Sequence, residues 1–101
     1  MTMYFPSLGK VQSGEIAGSA TAKQLTDIPG RLIKITALVG NAGNVYLGGA
    51  GVTIPDGTGD ATSGLTLDAG VTTEWMPLTN LNLLYIICDN AGDDITYLVL
   101  G

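Results

Sequence analysis

The sequence predicts an all-β fold, a small antiparallel β-sandwich or barrel with a jelly-roll among the arrangements that fit. Three observations predict it. Fifteen glycines lie mostly between short apolar runs, the punctuation of strands and turns. Apolar residues alternate with a period of two from Arg31 to Val39. The nearest approach to a helical pattern, Gly18 to Asp27, contains Ser19, Thr21 and Thr26, which are poor helix formers.

The elements follow in order. Residues 1–10 read as an extended N-terminal arm, with Tyr4, Phe5 and Leu8 as its apolar anchors and Pro6 keeping the residue before it out of the helical region. Residues 11–101 read as a single β domain. A first strand is expected from about Glu15 to Leu25, broken at Gly18. Asp27-Ile-Pro-Gly30 reads as a turn, with Pro29 at the corner. From Arg31 to Val39, Ile33, Ile35, Ala37 and Val39 share one face. Gly40 to Asn44 is rich in turn formers, and Asn44 to Gly48 is expected to return as the second strand of a hairpin, with Val45 and Leu47 inward.

Val52 and Ile54 suggest a short strand, and Asp56 to Gly64 an exposed loop of small polar residues. Leu65 to Leu67 and Val71 to Met76 read as two further strands around a turn at Asp68-Ala-Gly70. The last quarter reads as a hairpin of Leu83 to Asp89 and Ile95 to Leu100, joined by Asn90-Ala-Gly-Asp93. Both of its faces are apolar: Leu84, Ile86 and Cys88 on one, Leu83, Tyr85 and Ile87 on the other, with Leu98 and Leu100 opposing Ile95, Tyr97 and Val99. An antiparallel hairpin with one core face alternates apolar and polar residues, so a second apolar face predicts a cover. Leu83, Tyr85, Ile87, Leu98 and Leu100 are therefore the expected oligomer interface, and the arm of Tyr4, Phe5 and Leu8 the expected partner-binding segment.

Composition narrows the function. The 101 residues suit one domain, and 46% of them are apolar, enough for a core. Only 13% are charged, about half the usual share, which suggests that partners cover part of the surface. The net charge of −5, with Lys10, Lys23, Arg31 and Lys34 scattered, argues against nucleic acid and against anionic membranes. The single cysteine, Cys88, precludes an intrachain disulfide, and the N-terminus lacks a signal-peptide pattern. Assembly in a cytoplasm is expected.

The chain has no histidine, the usual acid–base residue at neutral pH. Cys88 lies within Leu-Leu-Tyr-Ile-Ile-Cys, the setting of an inert core thiol. Asp56, Asp60, Asp89, Asp93 and Asp94 sit in expected loops, but their spacing lacks the ligand pattern of a calcium loop, and solvated turn residues explain them. Gly48-Gly-Ala-Gly51 precedes no helix that could present it to phosphate. Trp75 and Tyr85 are the side chains a sugar site would use, although a lone Trp on a short strand suits a core. The expectation is a non-enzymatic protein without cofactor or metal.

Four segments carry a resemblance: Asn44-Val-Tyr-Leu-Gly-Gly-Ala-Gly-Val-Thr53, Leu65-Thr-Leu-Asp-Ala-Gly70, Asn82-Leu-Leu-Tyr-Ile-Ile87 and Ala91-Gly-Asp-Asp-Ile-Thr-Tyr97. Together they resemble small virion proteins of tailed bacteriophages, a class that includes head decoration (cement) proteins and head-fibre or tail accessory modules. The likeness spans roughly residues 31–101 and rests on short, glycine-dependent motifs. Related chains often carry Pro-Gly-Glu where this one has Ala69-Gly-Val71, so the resemblance implies the class and not the subtype. It implies a virion structural protein that decorates and stabilises a phage capsid as a symmetric oligomer, with a homotrimer favoured and the major capsid protein or another virion protein as partner. The alternative is a ligand-binding β-sandwich, a carbohydrate- or receptor-binding fibre or tail module.

Overall fold

The computed structural model describes residues 8–101. Tyr4 and Phe5 of the expected arm lie outside the described residues. Leu8 is half-buried, and the arm's last residue, Lys10, already exchanges backbone hydrogen bonds with Gly101.

Two antiparallel sheets pack face to face as a small all-β sandwich. The strands are β1 (Val11–Ile16), β2 (Lys23–Gln24), β3 (Leu32–Ala37), β4 (Val45–Gly48), β5 (Leu65–Leu67), β6 (Tyr85–Cys88) and β7 (Ile95–Leu100), with a 3-10 turn at Leu81–Leu83. One sheet has the order β1-β7-β3, the other β2-β6-β4-β5. The expected first strand is thus two short ones, in different sheets, parted by the Gly18 region.

The core lies between the sheets. Ile33, Ile35 and Ala37 of β3 are fully buried, as the period of two requires; Ile33 and Ala37 lie opposite Val99 and Ile95 of β7, and Ile16 of β1 lies on the other side of Ile95. Val45, Leu47, Leu67, Ile86 and Cys88 face them from the other sheet, and Leu25, Ile28 and Leu81 join the same core from the connections. Val39 departs from the pattern and is 86% exposed. β3 ends at Ala37, so the alternation stops before Val39 is reached.

Both expected hairpins are corrected. β3 pairs with β7 while β4 pairs with β5 and β6, so Gly40 to Asn44 carries the chain from one sheet to the other. β6 and β7 likewise lie in different sheets. The local reading failed because turn formers allow a sheet-to-sheet crossing as readily as a tight reversal, and long-range pairing with β1, β3 and β4 decides the outcome.

The expected strand at Val71 to Met76 is an irregular ribbon along the outer edge of β3. Ile33 and Met76 exchange backbone hydrogen bonds, the N–H of Ala37 donates to Val71, and Thr73 donates to Ile35. Val52 and Ile54 do not form a strand of their own. Thr53 bridges to Ser63 at the base of the exposed Asp56 to Gly64 loop, while Val52 is buried.

Candidate interaction surface

The residues expected to form one apolar face lie on two. Leu98 and Leu100 are on β7, the centre of the three-stranded sheet. Leu83 and the β6 residues Tyr85 and Ile87 belong to the other layer. They do not form a continuous patch through a shared hairpin, because that hairpin does not exist.

Each subset has its own surroundings. Register places Leu100 between Val11 and Leu32, and Leu98 between Ser13 and Lys34. Residues directly opposite in a ladder share a face, and this face is turned away from the core residues Ile33, Ile95 and Val99. The outer side of the first sheet therefore carries the row Val11, Leu100 and Leu32 with Leu98 beside it. Val11 is 73% exposed and the others are half-buried. On the second sheet, Ile87 lies beside Tyr46, Tyr85 lies opposite Gly48, and Leu83 is exposed. Tyr46 is buried on this outer side, and Gly64 closes against its Cβ.

Trp75 is half-buried, and the ammonium of Lys34 sits 4.6 Å from its ring centroid. A cation over the ring gains from the ring quadrupole and takes up a face that a sugar would otherwise stack on.

The acidic loop residues act as acceptors for the protein's own N–H groups. Asp93, the one buried charged residue among those described, accepts from Ala42 and Gly43 on Oδ1 and from the backbone and side-chain nitrogens of Asn90 on Oδ2. Burial pushes its carboxyl up, but the Gly43, Asn90 and Ala42 donors outweigh burial and hold it below the ordinary aspartate value. Asp89 accepts from Asn44 N at 2.8 Å and from the Tyr46 hydroxyl at 3.0 Å. Burial, then this bond to Asp89, pushes the Tyr46 hydroxyl up. Asp94 accepts from Gly18 N on Oδ1 at 3.0 Å and donates its own backbone N–H to Asn41 Oδ1. Asp56 accepts from Thr58 N and Oγ1, an Asx turn that lowers its carboxyl. This bonding ties loops together; its local half, Asn90 to Asp93, lies within one turn, whereas the bonds to Ala42 and Gly43 span some fifty residues and leave no local mark in the sequence.

Cys88 is fully buried, and burial pushes its thiol up. At the opposite end of β7 from Asp93, Lys10, Pro29, Gly30, Arg31 and Gly101 line an open depression of about 250 Å³, with the Lys10 ammonium donating to the Pro29 carbonyl.

Compared with known protein families, with curated proteins and with solved structures, the chain matches none.

Proposed function

We propose that this chain is a non-enzymatic virion structural protein that decorates and stabilises a phage capsid as a symmetric oligomer. One observation carries the reading: the outer side of the three-stranded sheet presents Val11, Leu100, Leu32 and Leu98, a row of aliphatic groups at a surface that a lone domain would make polar. Covering such a row removes apolar area from water at about 25 cal/mol per Å². The three-stranded sheet carries this row on its outer side, and the Asp56 to Gly64 loop is an exposed polar segment of the other sheet's β4–β5 connection. The occupied ring face of Trp75 weighs against the carbohydrate-binding alternative.

Stabilisation then needs only mass action. A protein that binds the assembled shell and not its free subunits lowers the shell's free energy by RT ln(1 + [L]/Kd), about 2.7 kcal/mol at a hundredfold excess over Kd, repeated at every lattice site. Particles with and without the protein are to be heated at low salt. Genome release at a higher temperature in the decorated particles is expected. Equal release temperatures overturn the cementing role, and binding on a glycan array would move the protein to the adhesion class.

A further inference from the structure

We infer that the open edge of β1 is a self-pairing surface, and that a second copy of this chain docks there strand to strand about a two-fold axis through Ser13. The two edges of the three-stranded sheet are treated differently by the fold. Lys10 and Gly101 exchange backbone hydrogen bonds in both directions, so they are a hydrogen-bonded pair. Such pairs alternate along an antiparallel ladder. Gln12, Gly14 and Ile16 therefore bond toward β7, while Val11, Ser13 and Glu15 turn their N–H and C=O groups to the open side.

The same alternation on the far side turns Ile33, Ile35 and Ala37 outward. There the 70–76 ribbon meets them: Ile33 pairs with Met76, Ile35 N donates to Thr73 Oγ1 while its carbonyl accepts from Thr73 N, and Ala37 bonds Val71 and Gly70. No described residue does this for Val11, Ser13 or Glu15, and all three are exposed. β1 carries little of the usual edge protection: Val11–Ile16 contains no Pro and no Lys, Glu15 is its one charged residue, and its pairing to β7 runs without a bulge. The sheet edges of β2 and β5 are only two and three residues long.

Symmetry and charge select a second copy as occupant. An axis normal to the sheet keeps each side chain on its own face, so outward-turned residues can meet only outward-turned residues. Centred on Ser13, it sets Ser13 against the partner's Ser13 and Val11 against the partner's Glu15, which uses every outward group of the strand. The two Glu15 carboxylates are then four positions apart, about 13 Å at strand spacing, and no like charges face each other. The rows of Val11, Leu100 and Leu32 from both copies come onto one continuous face. This inference does not rest on the capsid reading.

The test is sedimentation equilibrium of the full chain over a concentration series, beside Ser13→Lys, Ser13→Pro and a variant lacking residues 1–7. Lysine at the axis sets like charges face to face. Proline there removes an outward N–H while leaving the bonds to β7 intact. The expected result is a dimer for the full chain and for the shortened variant, with the dissociation constant raised at least about tenfold in both Ser13 variants, the equivalent of about 1.4 kcal/mol. Unchanged far-ultraviolet circular dichroism in Ser13→Lys shows that the domain itself is intact. A monomer at every concentration, a trimer, or a dimer untouched by Ser13→Lys overturns the proposal. Loss of association on removing residues 1–7 also overturns it and assigns the contact to that segment.

Discussion

Asp93, at the end of the β6–β7 crossing, accepts the backbone N–H of Ala42, in the β3–β4 crossing, at 3.0 Å. The two crossings that carry the chain between sheets are thereby joined through one buried carboxylate. Its other oxygen closes its own loop by accepting Asn90 N at 3.0 Å. Asn41 and Asp94 reinforce the joint, with Asn41 Nδ2 donating to Asp94 O and Asp94 N donating to Asn41 Oδ1, each at 2.9 Å.

Replacing Asp93 with Ala should therefore destabilise the domain by about 2–4 kcal/mol. The mutation leaves several partly buried N–H groups without an acceptor, and unmade buried hydrogen bonds cost about 1–3 kcal/mol each before local relaxation and water entry. Urea unfolding followed by tryptophan fluorescence measures the loss. A change below about 0.5 kcal/mol would show that the crossings hold without the carboxylate.

The same residue sets an acid limb. The folded carboxyl of Asp93 lies below its ordinary value. A depressed folded pKa means that the unfolded chain binds the proton more readily, so the stabilisation is whole above the unfolded aspartate value of about 3.9 and is lost as pH falls through the lower folded value. Stability should drop below about pH 4, and Asp93→Ala should flatten that drop. Tyr46 acts at the other extreme. Its hydroxyl titrates above the ordinary value in the fold, so its contribution is whole below about pH 10 and declines as pH rises further. Tyr46→Phe should flatten the alkaline limb. Denaturation midpoints across the pH range check both slopes.

The all-β class was legible because it depends on local signals, the spacing of glycines and the period of two in β3. Strand pairing was not. Leu83 to Leu100 reads as a hairpin because an apolar run, a turn and another apolar run carry no mark of whether the turn reverses within a sheet or crosses to the next. The apparent second apolar face of that hairpin is two separate outer faces, with Tyr85 and Ile87 on one sheet and Leu98 and Leu100 on the other. In sequence the acidic loop residues have the pattern of solvated turns. That holds for Asp56 and fails for Asp93, since burial depends on which loop lands against it.

Glycine positions divide by what surrounds them. A Cβ on Gly18 would overlap the carbonyl oxygen of Asp93, a backbone atom that cannot rotate away, and would press on Cys88 Sγ at 3.1 Å. Gly40 has open space around it. Gly18→Ala should destabilise by about 1–3 kcal/mol, the usual range for overpacking, while Gly40→Ala should stay within about 0.5 kcal/mol of the parent. Thermal unfolding of the two variants side by side makes the comparison, and equal midpoints would refute the close approach of the 17–19 segment to the Asp93 loop.

Ile35 and Val39 were expected on one buried face, and the fold separates them: Ile35 is fully buried, Val39 is 86% exposed. Ile35→Ala opens a cavity between the sheets and should cost about 2–5 kcal/mol, whereas Val39→Ala removes methyl groups that already face water and should change stability by less than about 0.5 kcal/mol. Cys88 provides the readout. Its thiol is buried, and burial pushes it up, so a thiol reagent reaches it only when the domain opens. Labelling of the parent and of Val39→Ala should be equally slow. Ile35→Ala should label faster by the factor its lost stability predicts, tenfold for each 1.4 kcal/mol where opening is a fast pre-equilibrium. Rapid labelling of the parent itself would mean that Cys88 opens locally, in the Gly18 and Asp93 region, without the sheets coming apart.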